Sequence, residues 1–165
     1  MNDSITHLVE ALREELKQYG EMLVLLDQQQ DQVMHRQTAN LMDTVAEVNA
    51  HADVIRAARH EREQRQRHIV RLLNLDESSG FAVLVPLLPA QYRPLIMALV
   101  QENNELIVRI QQRARQNHLL LNRVVELMQR LISTFSQAST PSTYSDTGTV
   151  LGGGMPKHSL LEAIG

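Results

Sequence analysis

Cysteine and tryptophan are absent from this 165-residue chain, and phenylalanine occurs twice. Without cysteine there is no disulfide framework and no thiolate metal site. With so few aromatics, the aromatic residues that favour strands are nearly missing. No glycine stands between Gly20 and Gly80, so that stretch lacks the punctuation that separates short strands. No window approaches the roughly 18 apolar residues of a membrane-spanning helix. The start, "MNDSITHLVEALREELKQYG", has no charged region followed by an apolar run. A secretory signal is therefore not expected, and a cytoplasmic location is. Nor does one sign of charge dominate: the net charge is −3, which gives no general argument for nucleic acid or membrane binding.

What remains is rich in Leu, Gln, Arg, Glu, Ala and Met, which are good helix formers. An all-α chain is expected. The first apolar stripe reads Ile5, Leu8, Leu12, Leu16, Tyr19, Leu23, Leu26, Val33, in steps of three and four with Gln30 in the gap. Such steps keep one helix face apolar. Asp3 or Ser4 is expected to cap its start. The pattern falters at "MHRQTAN", and Asn40 followed by Asp43 resembles a second cap. A second stripe runs through Leu41, Val45, Val48, Ala52, Ile55, Ile69, Leu72 and Leu73, and is expected to end near Leu75. Pro86, Pro89 and Pro94 then forbid one straight helix. The pattern predicts a short apolar helix over 78–85 and a long third helix starting near 92–94. The third stripe passes Ile96, Leu99, Asn103, Leu106, Ile110, Ala114, Asn117, Leu121, Val124, Met128, Leu131 and Phe135. The expected fold is an elongated antiparallel bundle of three long helices plus a short one. A disordered C-terminal tail follows. Residues 1–137 form the helical domain and 138–165 the Ser/Thr/Gly-rich tail.

Charge sets the first pairing. Residues 1–53 hold ten acids and three bases; residues 54–71 hold six arginines and two glutamates. A hairpin turning near 37–38 places Glu10 near Arg65, and Glu14 and Glu15 near Arg59 and Arg62. The arginine run is read as inter-helix pairing and a solvated face. A nucleic-acid patch is the alternative, weakened by the missing aromatics and by Glu61 and Glu63 within the run.

No catalytic or metal constellation emerges, and no cofactor is expected. The histidines at 7, 35, 51, 60, 68, 118 and 158 include no pair four apart, the spacing a helical metal site wants. "VLGGGMPKHS" lacks the lysine-hydroxyl ending and the strand-loop-helix setting of a phosphate loop. A helical mutase could hold a dicarboxylate with residues 56–71, but the arginines spread around the helix. Binding is the better expectation, not an enzyme. "HLLLNRVVELMQRLISTF" is apolar over more than half its circumference, and one side of it would stay bare in a three-helix packing. Leu120, Val124, Leu127, Met128, Leu131, Ile132 and Phe135 are the candidate binding residues. The short helix or a second copy of the chain could cover them instead.

The acidic helical hairpin, the "LLP" break, "QENNELI" and "RQNHLLLNR" in the third helix, and "TYSDTG" in the tail together resemble the FlgN family of flagellar type III export chaperones. The resemblance covers nearly the whole chain. It implies cargo binding of hook–filament junction proteins, FlgK- and FlgL-like, and delivery to an FlhA-like export gate protein. It also implies a docking role for Tyr144 in the tail. A structural or adaptor coiled-coil protein without an export role is the alternative.

Overall fold

A computed structural model describes residues 1–35 and 37–138, with backbone alone at 38 and 136–138. Its elements are α1 (Asn2–Met34), α2 (Thr38–Leu72), α3 (Phe81–Leu84), a 3₁₀ turn (Val85–Leu87) and α4 (Arg93–Ala138). No strand occurs among the described residues. The chain divides into two units, Met1–Met128 and Gln129–Gly165, and α4 runs through the division.

The helices form where the apolar steps predict them, but their ends differ from expectation. Helix α1 begins at Asn2 with no side-chain cap, so neither Asp3 nor Ser4 caps it. Helix α2 begins at Thr38, which leaves Asn40 inside the first turn. Its end comes at Leu72, three residues before Leu75, because Asn74 takes a positive φ of 52°. Asparagine tolerates that left-handed backbone better than most residues. Asn74 N–H donates to Arg71 O and Leu75 N–H to Val70 O, each at 3.0 Å. That pair of bonds is a Schellman motif, and it satisfies carbonyls the helix end leaves orphaned. The short helix shrinks to four residues because Pro86 has no N–H to carry it on. Pro94 falls in the first turn of α4, where a missing N–H is harmless.

The apolar core gathers where helix ends meet: Ile5, Leu8, Val9 and Leu12 of α1, Ile69 and Val70 of α2, Leu84, Val85 and Leu88, and Ile96 and Leu99 of α4. Each aliphatic chain so buried contributes roughly 1.5–3 kcal/mol. Arg93 Nε closes this base by donating to Leu88 O at 2.7 Å. Further along the hairpin the interior turns polar. Glu15, Gln18, Gln29, Gln32 and Thr44 are all buried.

Helices α1 and α2 run antiparallel. Thr44 Oγ1 donates to Gln32 Oε1 at 2.7 Å, and Arg62 Nε donates to Glu15 Oε2 at 3.0 Å. The second contact is the pairing the charge pattern predicts, and it is the deeply placed one: Glu15 is 2% exposed. Among the described residues four other arginines of the run pair with carboxylates close by in sequence instead, and Arg67 bonds the Glu63 carbonyl. Arg56 pairs with Asp53, Arg59 with Glu63, Arg65 with Glu61 and Arg71 with Glu77. Spacings of three and four residues make the first three partners available without help from α1, and Glu77 reaches Arg71 from the turn after α2.

Candidate functional site

Helix α4 returns parallel to α1 and is tied to it by two asparagines. Asn103 Nδ2 donates to Leu12 O at 3.1 Å, and Asn117 Nδ2 donates to Leu26 O at 2.7 Å. The bonded residues are 91 apart in both cases. Both amides are buried, Asn117 to 1% exposure. A helix carbonyl already bonded within its helix has a second lone pair for such a donor. Asn117 Nδ2 also donates to Gln29 Oε1 at 3.0 Å. Between the two clasps Arg113 reaches Asp27 at 2.6 Å and also bonds Gln30. Both asparagines lie on the predicted apolar stripe, in positions an aliphatic residue would otherwise fill.

The constant offset shows how far α1 can cover α4. Met34 is the last residue of α1, and the same offset sets it level with position 125. The apolar face of α4 does not stop there. Leu120, Leu121 and Val124, level with the last turns of α1, are half-buried. Leu127 and Met128 come after them and are 59% and 48% exposed. In the second unit Leu131, Ile132 and Phe135 are exposed too, Phe135 to 73%. Leu119 and Val125 add exposed apolar surface. Of the seven candidate residues, five are therefore bare, and Leu120 and Val124 are partly covered. Burying such side chains against a partner is favourable, and contiguous exposed apolar surface is uncommon on monomeric proteins.

Two features escape sequence reasoning. One is a groove of about 800 Å³ lined by Phe81, Val85, Pro86, Pro94, Met97 and Val100. The three prolines signalled a break there, but not the concavity that the break leaves. The other is the extension of the predicted Glu15–Arg62 pair into a partly buried polar chain. Tyr19 Oη donates to Glu15 Oε1 at 2.8 Å. Arg62 joins Glu15 to Gln66 Oε1, and Gln66 Nε2 donates to Ser79 O at 3.2 Å. The Arg62 guanidinium also stands 6.0 Å from the centre of the Phe81 ring. Burial, then the hydrogen bond and charge of Glu15, push the Tyr19 phenol up to about 12.

Among the described residues no group of three or more His, Asp or Glu side chains is placed to hold a metal ion. No described helix is long and apolar enough to cross a membrane. Helix α4 takes in residue 138, the first of the predicted tail, and residues 139–165, Tyr144 among them, lie outside the described residues.

Comparison with known proteins finds a family match. No curated protein matches the chain, and no solved structure does. The family described as FlgN protein matches over residues 1–152, nearly the whole chain, and takes in both the clasped α1–α4 pair and the exposed end of α4. With its all-helical fold and a match of that extent, the chain belongs to the FlgN family of flagellar export chaperones.

Proposed function

We propose that this protein is a cytoplasmic chaperone for hook–filament junction proteins, FlgK- and FlgL-like, and that it holds them on the bare apolar residues of α4. The observation that carries this is the overrun of α4. Its apolar face continues past the last residue of α1, so Leu127, Met128, Leu131, Ile132 and Phe135 have no cover among the described residues. A helical segment of cargo can bury that face as a third helix would. Leu120 and Val124 extend the same site where α1 thins out. Leucine and methionine side chains adapt to varied partner surfaces, which suits a protein with more than one cargo.

Delivery is assigned to the segment from residue 138 on, with residues 1–137 as the chaperone domain. Tyr144 lies among Ser, Thr, Gly and Pro, a composition too polar to build a core. Its ring can fill a pocket on an FlhA-like gate protein, and its hydroxyl can bond there.

The test separates the two steps. Leu127→Asp with Met128→Asp should abolish capture of a FlgK-like protein while circular dichroism stays unchanged. Tyr144→Ala should keep the thermal midpoint and cargo binding. It should weaken gate capture roughly thirty-fold, the usual effect of losing an aromatic anchor worth ~2 kcal/mol. Cargo binding that survives the double substitution would reject α4 as the site. A stable oligomer with no cargo preference would favour the adaptor coiled coil instead.

A further inference from the structure

The bare face of α4 has two unlike borders. One is cationic. Arg123 lies three residues after Leu120 and four before Leu127, and Arg130 lies three after Leu127. At those spacings both guanidinium groups flank Leu127 on the same side. The other border is uncharged. Asn122 and Gln129 stand in the matching positions around Val125. All four border residues are exposed. Neither Arg123 nor Arg130 enters an ion pair among the described residues, whereas Arg113, nearer the base, pairs with Asp27. Residues 113–138 hold four arginines and one glutamate, a net of +3 within a chain of net −3.

A second copy of the chain does not complete this pattern. In an antiparallel pair of α4 helices the two arginine borders would face each other. In a parallel pair each would face the apolar positions 121 and 128. Each copy brings two guanidinium groups to the border but a single carboxylate, Glu126, which stands beyond them on the same side, so neither arrangement neutralises it.

We propose that the occupant is an amphipathic helix bordered by carboxylates. Its apolar seam lies on Leu127, Met128 and Leu131, and two acidic residues seven apart meet Arg123 and Arg130. The inference rests on α4 being the cargo surface and adds what selects the cargo. Exposed ion pairs add little affinity, but a like charge in the same place repels, so the border discriminates. It also sets polarity: an acidic border on one side of the partner helix meets the arginines in one orientation and faces away from them in the other.

Two synthetic helices of about 25 residues test this, each long enough to cover the face. They share one apolar seam and differ only in carrying Glu or Lys along one border. Each is titrated into the full-length chain. The Glu helix should bind about tenfold more tightly than the Lys helix in low salt, and the gap should narrow as salt screens the charges. Arg123→Glu with Arg130→Glu should reverse the preference, and Leu127→Asp should weaken both helices alike. If Leu127→Asp weakens both but the two bind equally before and after the charge swap, the face binds cargo without reading charge, and this inference falls alone. If Leu127→Asp changes neither, the cargo surface itself is misplaced and both proposals fall. A dimer of the free chain that Leu127→Asp dissolves would make a second copy the occupant and overturn the inference.

Discussion

At the base, four segments from distant parts of the sequence bury Ile5, Leu8, Ile69, Leu84, Leu88 and Ile96 almost completely. From Leu119 onward α4 is as apolar as the base, yet most of its large side chains face water. Composition does not separate the two regions. What separates them is the supply of partners: the base has α1, α2 and the α3 turn around α4, whereas α1 ends level with position 125. Stability is concentrated at one end, and apolar surface is held in reserve at the other. The polar interior between them, with Glu15, Gln18, Gln29, Gln32 and the two asparagines, fixes alignment more than it adds stability.

The contrast is sharpest for matched leucines. Leu8→Ala should cost about 4 kcal/mol in urea unfolding, because a cavity opens among fully buried neighbours. Leu131→Ala should cost at most about 0.5 kcal/mol, since that side chain is already exposed. Equal losses would mean that the end of α4 is packed in solution, and the comparison would fail. Next comes the polar middle. Arg62→Ala leaves the Glu15 carboxylate buried without its cation and should cost about 3 kcal/mol. A loss near zero would show that water enters the hairpin there. The smallest effect is an alkaline one. Because the folded state raises the Tyr19 phenol from 10.0 to about 12, it favours the neutral form. That contribution is complete below pH 10 and is lost as pH rises through about 12. Tyr19→Phe should flatten this decline in urea midpoints measured across that window.

Much of this was legible in one sequence because steps of three and four are a direct physical signature of a buried helix face. Ile5, Leu8 and Leu12, and later Ile96 and Leu99, announced the base. The excess of apolar residues after His118 announced the bare end, though not that α1 would shade Leu120 and Val124. That shading depends on the offset between two helices, which no local pattern encodes. Asn103 and Asn117 were visible as members of the stripe, but their bonds go to backbone carbonyls that have no sequence signature. Helix starts were misjudged for a related reason. Asp3, Ser4 and Asn40 have suitable chemistry for caps, but each lies within a helix that starts before it.

The two asparagine clasps have a mechanical consequence. Their donors are fourteen residues apart on α4 and their acceptors fourteen apart on α1. Sliding α4 by one turn would break both bonds in the same step, with no intermediate register in which one survives. Because the helices run parallel, a pull along the axis of α4 loads both clasps in shear, as in a lap joint, and does not peel them open in turn. Tension applied to the far end of α4 would therefore be shared along the length of α1 before it reached the base.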